Sequence, residues 1–223
     1  MKRLGIAILS TILFLLNQSA AQSAHDQIAQ SLSAKCGALL ANEELPSSQQ
    51  AKRIWEQVSP LIQRLYPQYF VGMVVIQSSA INAWNTRAGY ANPRKSLICF
   101  PTGMVDFLRN NGEIAFIMAH EAGHGLDDAC ISPEQIHKQL STVRTCEMRA
   151  DSIGLDILVK AGFSAYEAAG AFGKLEMYQG DVGTGLGARL ASFSSDHPIT
   201  PDRIDNLRRL FAQFCQTNAG TCQ

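Results

Sequence analysis

Residues Ile114 to Gly125 read Ile-Ala-Phe-Ile-Met-Ala-His-Glu-Ala-Gly-His-Gly, an apolar helix interrupted only by His120, Glu121 and His124. Four residues make about one helical turn, so the two imidazoles project from one face and reach a single tetrahedral metal ion, with Glu121 beside them. A helix that is apolar nearly all round belongs inside a protein, where polar side chains need partners. The pattern supplies two ligands and calls for a third.

Downstream, Glu147-Met148-Arg149-Ala150-Asp151 falls inside another expected helix, with Glu147 and Asp151 again one turn apart. Glu147 completes a His₂Glu ligand set for Zn²⁺ with a fourth position left to water, and Asp151 is placed to accept the N–H of His120. In this reading Glu121 is the general base toward a metal-activated water and returns the proton to the leaving amine. Asp196-His197-Pro198, followed by Arg203, leads into the last expected helix. Two roles stay open for His197: a hydrogen bond to an oxyanion, or occupation of the open metal position in a latent state. Arg203 either orients His197 or binds substrate carbonyls.

Outward from these motifs, 223 residues carrying 19 basic and 19 acidic side chains, 46% of them hydrophobic, describe a globular chain. The balanced charge argues against nucleic acid as the main partner. Lys2 and Arg3 precede an apolar run from Leu4 to Leu16 that ends in Ser19-Ala20-Ala21, the pattern of a signal peptide covering residues 1–21. Its apolar core is short of the roughly 20 residues needed to span a bilayer. The expectation is therefore an exported, soluble protein, periplasmic or secreted, with one domain over 22–223 and no transmembrane segment after cleavage. All six cysteines lie beyond residue 21, which favours disulfides; Cys130–Cys146 and Cys215–Cys222 are the pairs suggested by proximity. The lack of a Cys-x-x-Cys pair argues against a thiolate zinc cluster.

Periodicity predicts helices over 25–42, 48–66, 103–109, 112–125, 132–161, 164–179 and from Pro201 onward, and β-branched runs predict strands at 71–76 and 96–100. The fold class is α+β, predominantly helical, with a small sheet beside the helix of His120. Ile81–Asn85 and Ser96–Phe100 are expected to offer a strand edge to an extended peptide. The Gly-rich run from Gly180 to Gly187 lacks the Lys-Ser/Thr of a phosphate loop and is expected to be a mobile loop near the cleft.

HEAGH, the segment from Glu147 to Tyr178 and the segment DHPITPDRIDNLRRL resemble the M48 family of zinc metallopeptidases, and INAWN and ICFPTGMVDFL extend the similarity over roughly residues 70 to 215. The resemblance implies a gluzincin fold and one Zn²⁺ held by His120, His124 and Glu147. It implies Glu121 as base, Asp151 behind a ligand histidine, and His197 and Arg203 as auxiliary residues, with polypeptides as substrates. Exported bacterial relatives act on damaged or misassembled envelope proteins. An alternative of another class is a zinc-bearing chaperone or binding module of the same fold. Two departures stand out: only 22 residues separate His124 from Glu147, and Asp127, Asp128 and Cys130 follow HEAGH where relatives often carry a basic turn.

Overall fold

The run Ser96-Leu97-Ile98-Cys99-Phe100 is apolar without alternation, which suits a strand covered on both faces. In the computed structural model it forms the middle of a three-stranded sheet. Strand β1 (Phe70–Ile76) pairs in parallel with β3 (Lys95–Pro101), and β2 (Trp84–Arg87) pairs with β3 antiparallel, giving the order β1-β3-β2. The structure describes residues 34–87, 94–130, 140–179, 197 and 200–217. The expected signal peptide, the Gly180–Gly187 run, Asp196, Pro198 and the start of the helix expected at Ser132 lie outside them.

One face of β3, carrying Ile98 and Phe100, joins the main core with the helices. On the other face Leu97 and Cys99 pack with Cys36 and Ile76 under Val74 and Trp84. The disulfide Cys36–Cys99 clamps this second layer to the sheet. Residues 39–41 then run along the outer edge of β1, with Ala41 N–H donating to Val75 O and Gln77 N–H to Leu39 O at 2.9 Å each.

The helices follow from apolar spacing. Helix α1 (Pro46–Leu65) starts with Pro in its first turn and buries Ala51, Ile54, Val58, Leu61 and Ile62 along one stripe. Helix α2 (Thr102–Leu108) leaves β3 directly and ends at Arg109. Helix α3 (Asn111–Leu126) is capped by Asn110, whose Oδ1 accepts from the N–H groups of Gly112 and Glu113. It is buried on every side from Gly112 to Gly123. Helices α4 (Leu140–Lys160) and α5 (Ala165–Gln179) pack against it, and α6 (Pro201–Thr217) packs on α4 and α5.

Three expectations are corrected. Of the helix expected over 25–42, the described part is a single 3₁₀ turn, Ala34–Cys36, followed by extended chain. Gly37 has φ +66° and breaks the turn, Cys36 is tied to the sheet, and pairing with β1 outcompetes helix formation. Ser96–Phe100 is the central strand, so its edges are used by β1 and β2 and cannot receive a peptide. Finally, β2 begins at Trp84 and runs to Arg87, beyond the segment singled out in the sequence.

The Cys36–Cys99 bond spans 63 residues of sequence. Loop entropy of that size is worth roughly 4 kcal/mol. Replacing both cysteines by serine is expected to lower Tm by on the order of 10 °C, measured by thermal unfolding.

Candidate active site

Helices α3 and α4 approach so closely that side chains are excluded between them. A Cβ on Gly123 would lie 2.9 Å from Ala150 O, and one on Gly154 would lie 2.9 Å from His120 N. Glycine at these two helical positions brings the backbones together, so the short carboxylates of Glu147 and Asp151 reach the histidines of α3.

The resulting cluster is buried: His120, Glu121, Glu147, Asp151, His197 and Arg203 are all 6% exposed or less. His120 Nε2 and His124 Nε2 are 3.1 Å apart. Glu147 Oε2 lies 3.5 Å from His120 Nε2, and its Oε1 lies 3.3 Å from His124 Nε2. Zinc bonds of about 2.0–2.1 Å place neighbouring corners of a tetrahedron about 3.3–3.4 Å apart, so these three groups fit one face of such a site. His197 Nδ1 stands 3.4 Å from His120 Nε2 and 3.2 Å from Glu147 Oε2, against two of the three groups.

A second carboxylate competes for the description. Ligand atoms of His120, Glu121, His124 and His197 lie within 4.8 Å of one another. Glu121, however, comes only to 4.0 Å of His120 Nε2, whereas Glu147 touches both α3 imidazoles at closer range. Both Glu121 oxygens are buried without a hydrogen-bond partner among the described residues, and the nearest cation is His197 Nε2 at 3.4 Å. A buried carboxylate that faces imidazoles without a hydrogen bond is costly to keep, and it stands beside the ligand cluster where a base would be needed.

Behind the imidazoles, His120 Nδ1 lies 2.9 Å from Asp151 Oδ1, which fixes the ring and turns Nε2 toward the cluster. Arg203 donates from Nε and Nη2 to the two Asp151 oxygens at 2.8 and 2.6 Å, and Nη1 lies 2.8 Å from Glu147 Oε2. Its guanidinium stacks 4.9 Å over the Phe172 ring. Of the roles expected for Arg203, orienting His197 or binding substrate carbonyls, neither contact is seen directly: Arg203 is buried and turned toward two carboxylates that need its charge.

Electrostatics follow from this packing. Burial lowers the His120 pKa, but hydrogen bonds and charge from Asp151 and Glu147 outweigh it and raise the group from 6.5 to about 10. Burial likewise lowers His197, and the charges of Glu121 and Glu147 push it up. For Glu147 burial raises the carboxyl, while His197, His124 and His120 hold it well below the usual range. Asp151 behaves in the same way under the charge of Arg203 and its bond to His120.

Sequence reasoning missed two residues that hold α3 from the sheet side. Asn85 Nδ2 donates to Glu121 O at 3.0 Å, and Arg87 Nη2 donates to His124 O. Both sit on β2 and point the same way, two residues apart. The sequence carries Asn85 and Arg87 as polar residues two apart in Trp84-Asn85-Thr86-Arg87, but no periodicity names their partners.

A group whose folded pKa is raised stabilises the fold below its unfolded pKa, and that contribution is lost as pH climbs through the folded value. The metal-free protein is therefore expected to lose thermal stability from about pH 6.5 to about pH 10. Tm measured against pH in chelator checks this, and His120→Gln should flatten the slope.

With the geometry in place, comparison with known proteins identifies the frame. The model of Peptidase family M48 matches residues 47–132 and 131–211, which takes in the sheet, α3, α4, α5 and most of α6. No curated protein matches the chain. The matched segments cover well over half of the sequence, and they contain both histidines of HEAGH, Glu147, Asp151, His197 and Arg203. The chain belongs to peptidase family M48, a family of metallopeptidases.

Proposed function

We propose that this protein is an exported zinc endopeptidase that hydrolyses peptide bonds in unfolded or misassembled polypeptides. The observation that carries the reading is the set of three ligand groups, His120 Nε2, His124 Nε2 and the Glu147 carboxylate with one oxygen toward each ring, at 3.1 to 3.5 Å, beside a buried Glu121 that makes no hydrogen bond. His120, His124 and Glu147 would hold the ion. A Zn²⁺ bound there supplies Lewis-acid charge that acidifies water and polarises a carbonyl.

The protein's own residues do the rest. Glu121 accepts a proton from the attacking water and delivers it to the amine nitrogen as the peptide bond breaks, since its two oxygens are not engaged in hydrogen bonds. Asp151 holds His120 in one tautomer, and Arg203 holds Asp151 and Glu147 in place. Among the described residues the outer edge of β1 is taken by 39–41, and we assign the alignment of an extended peptide backbone to the outer edge of β2, the strand that contacts α3. Backbone pairing reads no particular side chain, which suits unfolded substrates. Among the described residues no helix is long and apolar enough to cross a membrane. Export rests on the Lys2 to Ala21 pattern.

Of the two roles open for His197, the geometry supports latency. Its Nδ1 lies against His120 Nε2 and Glu147 Oε2 and its Nε2 faces Glu121, so the ring stands where water and a carbonyl would approach. A zinc-bearing chaperone would share the ligands and the groove. Glu121 separates the two readings, because binding has no use for a buried carboxylate set beside the ligand groups to carry protons.

Cleavage of an unfolded, fluorescently labelled protein by the wild type and by Glu121→Gln tests the mechanism. The variant is expected to keep zinc and lose about 10² to 10⁴ in rate; turnover retained in the variant rejects Glu121 as base, and growth defects equal to those of a deletion speak against a chaperone. His197→Ala is expected to raise basal activity, and a fall in activity would transfer His197 to the oxyanion.

A further inference from the structure

The crossing of α3 and α4 at Gly123 and Gly154 sets how close the two helices are, but it leaves α4 free to roll about its axis. The carboxylate of Glu147 lies on the order of 6 Å from that axis, so a roll of about 10° moves it by about 1 Å. Metal ligands tolerate about 0.2 Å. Something besides the glycine contacts must fix the roll.

Arg203 grips the carboxylates of Glu147 and Asp151 from α6, and two further links act on α4 itself, bracketing Glu147 in the chain. Cys146, the residue before it, is bonded to Cys130, with Cα atoms 5.6 Å apart. Arg149, two residues after it, forks onto Asp127, with Nη2 2.8 Å from Oδ1 and Nε on Oδ2. Cys146 and Arg149 are three apart and share one face of α4, while Glu147 and Asp151 are four apart and share the neighbouring face. Anchoring the first face fixes the angle of the second.

Both anchors come from the turn that ends α3. Asp127 Oδ1 also accepts Ala129 N–H at 3.0 Å, and Asp127 O accepts Cys130 N–H at 3.1 Å, so the turn is closed on itself. Asp127, Cys130 and Cys146 are each 7% exposed or less. The same turn starts three residues after His124, which makes it a short lever between two ligands. These are the residues in which the sequence departs from the basic turn expected after HEAGH.

We propose that Cys130–Cys146 and Asp127–Arg149 form a two-point clasp that positions Glu147 against His120 and His124 as a metal ligand. The four side chains are positioning residues of the centre, and the proposal rests on the metal reading given above. It separates them from Cys36–Cys99, which closes a longer loop on the far face of the sheet.

The test is zinc affinity by chelator competition, together with Tm of the metal-free form, for the oxidised full-length protein and three variants. Cys130→Ser/Cys146→Ser is expected to weaken zinc binding by about 10- to 100-fold while still folded at the assay temperature. Asp127→Asn, which keeps the disulfide and the side-chain shape, is expected to weaken it several-fold and guards against a double variant that does not fold. Cys36→Ser/Cys99→Ser is expected to lower Tm and leave zinc affinity within about twofold. With Co²⁺ in place of Zn²⁺, the clasp variants should also lose intensity in the tetrahedral d–d bands. Unchanged affinity in both clasp variants overturns the proposal alone, as does equal weakening in the Cys36/Cys99 variant. A wild type that binds no zinc overturns the metal reading and the clasp together.

Discussion

Burying like charges at one point is the constraint on which this structure depends. Glu121, Glu147 and Asp151 share one cluster almost wholly removed from water, and among the described residues Arg203 is the guanidinium bonded to two of them, Glu147 and Asp151. With neutral imidazoles the group carries two net negative charges, which a divalent cation cancels. Without the cation, protonation of His120 and His197 makes up the difference, and this is why both are pushed upward. The donor set and the charge deficit therefore point to the same ligand class independently.

That charge arrangement explains the surrounding architecture. Carboxylates have short side chains, so α4 must come within backbone contact of α3, which Gly123 and Gly154 permit. A helix carrying unpaired polar groups must be held rigidly, and α3 is held from three sides: capped by Asn110, gripped through its carbonyls by Asn85 and Arg87, and tied at its end to α4. The sheet contributes little area, yet β2 is what brings two side chains to the carbonyls of Glu121 and His124. Stability and site geometry are in this respect one problem.

Much of this was legible in the sequence because it is local. His120, Glu121 and His124 share one turn, Glu147 and Asp151 another, and helical spacing alone places each pair on a face. The helices α1, α3, α5 and α6 lie within a residue or two of their expected limits for the same reason, and Cys130–Cys146 was suggested by nearness along the chain. What escaped is non-local. Residues 39–42 look helical by periodicity, but the Cys36–Cys99 bond and pairing with β1 draw them into extended chain. Ser96–Phe100 reads as a possible edge because an apolar run does not say how many neighbours it has. Arg203 resembles a substrate-binding cation until two buried carboxylates 52 and 56 positions earlier claim it.

The central claim is that Glu147, and not Glu121, completes the ligand set, leaving Glu121 to move protons. Calorimetric zinc titration of Glu147→Gln beside Glu121→Gln tests it most directly. The account predicts that Glu121→Gln binds one equivalent with affinity close to wild type, whereas Glu147→Gln loses at least about 100-fold. Strong binding by Glu147→Gln together with its loss in Glu121→Gln would contradict it.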